Sequence, residues 1–169
     1  MSISLFDTGV PVYKQMLVAL SEVLKKADEH AQNKKIDPAV LLQARLYPDM
    51  FPLVRQVQIA CDFAKSVSSR LAGVEVEAYE DTEQSFAELQ HRITKTVAVL
   101  ESMTPEQFEG SETKQIVLRP GTPKEKTLTG SDYALRYGLP QFFFHVTTAY
   151  NILRHNGTEI GKKDFMGAY

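Results

Sequence analysis

The 169-residue chain lacks several residue types that mark particular classes of protein. It contains no tryptophan and a single cysteine, Cys61. One cysteine excludes an intrachain disulfide and a CxxC metal or redox pair. Because Cys61 lies in an apolar stretch, we interpret it as a small buried side chain rather than a reactive thiol.

An excess of positive charge is also missing. The 19 lysines and arginines face 21 acidic residues, and the net charge is -2. Proteins that bind the phosphate backbone of nucleic acids usually carry a strongly basic face. The short basic pairs Lys34-Lys35 and Lys162-Lys163 are interpreted as solvated surface residues. We therefore expect no nucleic-acid partner.

Long hydrophobic runs are absent as well. No window approaches the roughly 18 uncharged apolar residues that a membrane-spanning helix requires. The first residues, MSISLFDTGVPVYKQM, have neither a basic start nor an uninterrupted apolar segment, so they do not resemble a secretory signal. These absences favour a cytoplasmic protein with no membrane partner.

What is present is the composition of an ordinary globular domain. Hydrophobic residues make up 43% of the chain and charged residues 24%, a balance that can bury a core without disulfides. Domains usually contain roughly 100–200 residues, so residues 1–169 are predicted to form a single domain.

Four segments carry apolar residues at alternating intervals of three and four, which is the pattern of a helix with one buried face. These long helices are predicted at about residues 10–30, 52–71, 82–102 and 139–156. At the first helix we expect Asp7 and Thr8 to supply the N-cap and Pro11 to lie in the first turn. A short helix is expected from Ala39 to Arg45. The predicted fold class is therefore all-α, a four-helix bundle.

Residues 111–130 have a different character. Segments 114–119 and 125–129 have the composition of short strands, and Pro120-Gly121-Thr122-Pro123 between them is typical of a turn. We predict a small β-hairpin inserted between the third and fourth helices, followed by one short helical turn through Tyr133 and Leu135. The tail, residues 158–169, is expected to lie over the bundle or on a partner chain.

A narrow polar line follows the second helix. It consists of Arg55, Gln58, Asp62 and Lys65, at intervals of three, four and three. Charges of both signs at such spacing usually form a solvent-facing side. The alternative is a polar cleft inside the bundle, in which Asp62 acts as a base or a ligand. The sequence leaves both interpretations open.

The four histidines, His30, His91, His145 and His155, do not form a recognisable metal motif. Neither H-x-x-x-H nor H-E-x-x-H occurs, and a zinc site usually needs three protein ligands. His145 lies in mid-helix at the border of the buried face. This position favours a histidine at the edge of the core, with a ligand or general-base role as the alternative. His91 is expected to be exposed, and His155 to cap its helix.

Two regions of the chain resemble a known family. They are PQFFFHVTTAYNILRHNG (140–157) with IGKKDF (160–165), and DMFPL (49–53) with QIACDFA (58–64). Both are similar to a bacterial family of unknown function within the DinB/YfiT-like superfamily of metalloenzymes. The resemblance covers nearly the whole chain.

The resemblance implies a four-helix bundle in up-down-down-up order, often as a homodimer. Better-known members of the superfamily hold nickel or zinc with three histidines, one from the second helix and two from an H-x-x-x-H in the fourth. In this chain only His145 matches, at the first position of the pair, and Ala149 stands at the second. The second helix offers Gln58, Cys61 or Asp62 where the family has its histidine.

The incomplete histidine set leads to two functional hypotheses. The first is a homodimeric binding or stress-related accessory protein with an unknown small-molecule ligand and no metal or other cofactor. The second is a divergent DinB-like enzyme, of the metal-dependent hydrolase or transferase type. Its catalytic residues would be His145 and Asp62, in a pocket that also contains Arg55 and Gln58. If nickel or zinc binds, the ligands would be His145, Asp62 and His91.

Overall fold

The computed structural model describes residues 3–169, and helices dominate it. In chain order the helices are α1 (Leu5–Lys34), α2 (Pro38–Leu42), α3 (Leu53–Ala72), α4 (Phe86–Glu101), α5 (Gly130–Asp132), α6 (Leu139–His155) and α7 (Lys162–Met166). A 3-10 turn, Pro105–Phe108, follows α4. Within these residues, no helix combines the length and the apolar character needed to cross a membrane.

Helix α1 begins earlier than the sequence predicted. Ser4 is its N-cap, and it forms a capping box with Asp7. The Ser4 hydroxyl accepts a hydrogen bond from the Asp7 amide at 3.2 Å, and the Asp7 carboxylate accepts one from the Ser4 amide at 3.1 Å. The prediction of Asp7 or Thr8 as the N-cap was therefore wrong. Pro11 lies inside the helix rather than in its first turn.

The boundaries of the other long helices follow their caps. Helix α3 begins directly after Pro52 and ends at Ala72, and its C-cap is Gly73, whose φ of 75° suits glycine. Helix α4 begins at Phe86, four residues later than predicted, because the Ser85 hydroxyl accepts the Glu88 amide hydrogen at 3.2 Å. Residues 82–85 therefore belong to the connection that precedes it.

The long helices share one core, with α3 at its centre. Helix α3 packs against α1, α4 and α6, and α1 also packs against α4 and α6. Tyr13 of α1 meets Phe142 of α6 edge to face, with ring centroids 4.8 Å apart. The largest fully buried side chains include Tyr13, Leu17, Leu24, Leu53, Leu89, Ile93, Leu100, Phe142 and Ile152.

The predicted hairpin is present between α4 and α6. Strand β1 (Gln115–Leu118) pairs antiparallel with β2 (Lys126–Thr129), and Leu118 stands opposite Lys126. The chain then passes through α5 into a π-helical turn, Tyr133–Gly138, which runs directly into α6. The sequence pattern predicted only a short helical turn at this place.

The tail packs on its own chain. Lys26 of α1 forms an ion pair with Asp164 of α7, and the Gln15 side chain donates to the Met166 carbonyl at 2.9 Å. Gly167 lies so close to α1 that a Cβ there would be 2.9 Å from the Ala19 Cβ. Of the two predicted positions for the tail, the structure shows the one over α1.

The close approach of the π-helical turn to α3 yields a stability prediction. A Cβ at Gly138 would lie 2.8 Å from Val67 Cγ2 and 3.1 Å from the Tyr13 hydroxyl, although the φ of -64° is helical. Gly138→Ala should therefore lower the free energy of unfolding, by about 1–3 kcal/mol, through overpacking. Urea denaturation measures the change.

Gly9→Ala is the matched control. Gly9 also lies in a helix, but its added Cβ would only touch Tyr13, at 3.6 Å. Alanine should stabilise the protein there by about 0.5–1 kcal/mol, because it is the better helix former. If both variants gained stability, the packing of the π-helical turn against α3 would be refuted.

Candidate functional site

His145 forms a buried hydrogen-bonded pair with Gln56. His145 is 7% exposed, and its Nδ1 lies 2.7 Å from Oε1 of Gln56 on α3. The Gln56 amide nitrogen donates to the Phe51 carbonyl at 2.9 Å. This second bond turns Oε1 towards the imidazole, so Nδ1 of the neutral ring is the donor and Nε2 carries the lone pair.

Aromatic rings surround this histidine and keep it neutral. The ring stacks on Phe63, with centroids 6.0 Å apart at 15°, and meets Phe144 edge to face at 5.2 Å. Burial, together with the smaller effect of the positive charge of Arg55, lowers the pKa of His145 to about 4. The ring is therefore a neutral donor and acceptor at neutral pH.

Gln56 is a site residue that the sequence analysis missed. It is 1% exposed and sits one position along from Arg55, the first residue of the polar line. The available signal was a glutamine outside the polar line on a helix that is apolar on nearly all its other sides, since a buried amide needs partners for both its donor and its acceptor. The sequence did not reveal which element would supply those partners.

The polar line on α3 is only partly solvent-facing, because two of its four residues are buried. Gln58 and Lys65 are each 2% exposed, so the interpretation of a solvent face was wrong for these two residues. Gln58 donates to Glu83 at 2.7 Å and accepts from Arg55 at 2.7 Å. Glu83 belongs to the acidic connection between α3 and α4, which lies against this side of α3.

Arg92 of α4 joins the connection to α3. Its guanidinium forms ion pairs with Asp62 at 2.9 Å, Asp81 at 3.0 Å and Glu83 at 3.0 Å, while its side chain is only 2% exposed. Because the guanidinium itself is buried, the loss of a carboxylate that pairs with it would be costly. We call Arg92 and its three carboxylates the Arg92 cluster.

Lys65 completes this region through an aromatic contact. Its ammonium lies 3.2 Å from the centroid of the Tyr79 ring, and Lys95 lies 4.3 Å from the same centroid on α4. Burial lowers the pKa of Lys65, while the neighbouring Asp62 carboxylate acts in the opposite direction. The Tyr79 ring therefore helps to hold a poorly hydrated positive charge.

The predicted site residues thus fall into separate surroundings. Arg55, Gln58 and Asp62 belong to the network around the Arg92 cluster, whereas His145 is bonded to Gln56. Within residues 3–169, no hydrogen bond or ion pair joins His145 to Asp62. The catalytic roles proposed for these two side chains stay predictions.

A metal ion needs several donor side chains in one place. His91 is exposed on α4, and Ala149 is buried on α6. Cys61 is buried, and burial raises the pKa of its thiol to about 12, so the thiol is protonated at neutral pH. In the described part of the chain, no group of three or more His, Cys, Asp and Glu side chains could hold a metal ion.

The lowered pKa of His145 makes stability depend on pH. In the folded state the pKa is about 4 against an ordinary 6.5, so the unfolded chain binds the proton more readily between those values. Stability is then lost as pH falls through this window. Between pH 7 and pH 5, wild type should lose about 2 kcal/mol more free energy of unfolding than His145→Gln.

Urea denaturation at the two pH values measures this difference. His155→Gln, which removes an exposed histidine at the end of α6, should follow wild type. Equal losses in wild type and His145→Gln would show that the imidazole is not held neutral by its surroundings.

Comparisons with known proteins identify the family. A family profile described as "Domain of unknown function (DUF1993)" matches residues 5–166. The crystal structure of a DinB family member protein from Shewanella denitrificans is 43% identical, with a TM-score of 0.92; the match covers 98% of this chain and 93% of that chain. A comparison with curated proteins finds no match. The resemblance found in the sequence is confirmed, and the chain belongs to the DUF1993 family, with the fold of a DinB family member.

Proposed function

We propose that this protein is a binding or stress-related accessory protein that takes a small molecule without using a metal ion. The observation that carries the proposal is the pair formed by His145 and Gln56. His145 is the one residue that matches a metal-binding histidine of the superfamily. Its Nδ1 is hydrogen-bonded to the side-chain amide of Gln56 on α3 at 2.7 Å. An amide in this position orients the imidazole but does not replace a second histidine as a metal ligand.

The residues present do not fit the nickel or zinc ion of the superfamily. Catalytic zinc usually takes three protein ligands, and His145 supplies one nitrogen. Ala149 supplies no donor, and Asp62 already accepts from Arg92 at 2.9 Å. His91, the third ligand proposed from the sequence, is exposed on α4 beside Glu88 and Arg92. We therefore derive no chemistry from a metal ion.

A divergent DinB-like enzyme, of the metal-dependent hydrolase or transferase type, is the second candidate. The tautomer of His145 favours it, because Nδ1 is held by Gln56 and the Nε2 lone pair has no partner among residues 3–169. Such an arrangement suits a proton acceptor. Against it, a pKa of about 4 makes a weak base near neutral pH, and among residues 3–169 Asp62 forms no hydrogen bond with the ring.

Elemental analysis separates the two candidates. Protein purified without chelator and without a histidine tag is compared with His145→Ala. We expect far less than one nickel or zinc ion per chain in both proteins, because only one suitable donor is present. A near-stoichiometric metal content in wild type that His145→Ala abolishes would establish the enzyme hypothesis instead.

The helix order of the superfamily, up-down-down-up, is proposed as well. Lys14 pairs with Glu101 at 2.5 Å, which supports an antiparallel arrangement of α1 and α4. Tyr13 packs on Phe142, and His30 lies beside Gly157, which supports parallel α1 and α6 in a four-helix bundle. A carbodiimide crosslink between Lys14 and Glu101 tests the first of these pairings.

We further propose a cytoplasmic homodimer. Two exposed phenylalanines, Phe51 and Phe144, each 55% exposed, flank the His145–Gln56 pair. Large apolar side chains of this kind often mark interfaces. Sedimentation velocity should give twice the chain mass, and Phe144→Ser should weaken the dimer while Val18→Ser on α1 should not. A monomer at all concentrations would refute the proposal.

A further inference from the structure

A cavity of about 350 Å³ lies where α3, the β-hairpin and the π-helical turn meet. We call it the hairpin pocket. Its positive wall consists of Arg70 from α3 and Arg119, Lys124 and Lys126 from the hairpin, and its aromatic wall includes Tyr133 and Tyr137. Pockets for small ligands range from roughly 300 to 1,000 Å³, so this one suits a single ring with one attached group.

The positive charge of the hairpin pocket is unbalanced. No carboxylate lines it, and within residues 3–169 none of its four cations forms an ion pair. The nearby carboxylates are engaged elsewhere. Glu125 accepts from the Gly121 amide at 2.6 Å, and Asp132 pairs with Arg136 at 3.1 Å. In a chain with a net charge of -2, this concentration of charge favours an anion.

The larger cavity beside α4 differs in this respect. It measures about 570 Å³ and contains Arg92 and Lys95. Arg92 is neutralised by its carboxylates, and Lys95 pairs with Glu77 at 2.5 Å. The volume of a cavity therefore does not identify an anion site. The absence of ion pairs at its cations does.

The aromatic wall is ordered by contacts of its own. Tyr133 and Tyr137 stack with centroids 5.8 Å apart at 20°, and Phe63 meets Tyr137 edge to face at 5.8 Å. Arg70 donates to the Tyr133 hydroxyl at 3.0 Å, which orients the guanidinium at the edge of the rings. A planar guanidinium fixed beside aromatic faces suits an anionic group attached to a planar ring.

The backbone around the hairpin pocket departs from regular geometry at two places. The tyrosines belong to the π-helical turn, a conformation that is frequent at functional sites. Arg119 has a φ of +51°, which is unfavourable for a residue with a Cβ, and it precedes Pro120. Strained residues of this kind cluster at ligand sites.

We propose that the hairpin pocket binds a small anion in which a phosphate monoester is attached to an aromatic ring. The four cations would hold the phosphate, and Tyr137 with Phe63 would contact the ring. The inference names a ligand class for the binding function proposed above and rests on it. Phe63 also connects the two regions, since its ring stacks on His145.

Phenyl phosphate is the probe, titrated by isothermal calorimetry at about pH 7.5, where a phosphate monoester with a second pKa of about 6 is dianionic. Inorganic phosphate and phenol are titrated in parallel. We expect saturable binding of phenyl phosphate that weakens with added salt. Each of the two fragments should bind more weakly, because it engages only one wall.

Arg119→Gly is the diagnostic variant, because glycine adopts a positive φ without strain and the substitution removes only the side chain. Lys35→Gly is its matched control. Lys35 also has a positive φ, 55°, and it is a cation at the C-cap of α1 rather than at the hairpin pocket. Arg119→Gly should weaken phenyl phosphate binding roughly tenfold, the effect of one charged hydrogen bond, and Lys35→Gly should leave it unchanged.

Three outcomes would overturn the inference: no saturable binding of phenyl phosphate, an equal loss in both glycine variants, or equal affinity for inorganic phosphate. The metal analysis is independent of these results. Stoichiometric metal would overturn the proposed function and leave a positive titration standing. If phenyl phosphate does not bind, the proposed ligand class is wrong, but that result gives no support to a metal site.

Discussion

The burial of α3 is the constraint on which the rest of the structure depends. A central helix that contacts three others has almost no free side, yet this one carries Gln56, Gln58 and Lys65, each no more than 2% exposed. An unpartnered polar group inside a protein costs several kcal/mol or more, depending on its charge. Neighbouring elements therefore supply partners: α6 brings His145 to Gln56, and the connection to α4 brings acidic groups to Gln58 and, with α4, encloses Lys65.

The local part of this arrangement was readable from the sequence. The intervals between apolar residues identified all four long helices, and Pro120-Gly121 marked the turn of the hairpin. Boundaries were less certain because a single serine hydroxyl decides where α1 and α4 begin, at Ser4 and Ser85. An N-cap is worth about 1 kcal/mol, so several candidate residues in one stretch compete closely.

The candidate sites depended on contacts that no local pattern encodes. The bond between Gln56 and His145 joins residues 89 positions apart, and that between Arg92 and Asp62 joins residues 30 apart. The sequence identified His145 and the polar line as unusual, but not their partners. The hairpin pocket was hidden for a related reason. Three of its cations lie within residues 119–126, but Arg70 and the aromatic wall come from other elements, and only folding brings these together with the hairpin.

The π-helical turn has a consequence for how the length of this chain can vary. A helical residue advances the direction of its side chain by about 100°, so removing one residue from Tyr133–Gly138 would swing the hairpin around the axis of α6. Gly138 already lies against Val67 and leaves little room for such a rotation. Insertions and deletions should therefore be tolerated at the open tip of the hairpin, where a Cβ at Gly121 would meet nothing within 4 Å. They should be rejected in the six residues of the π-helical turn that lead into the last long helix.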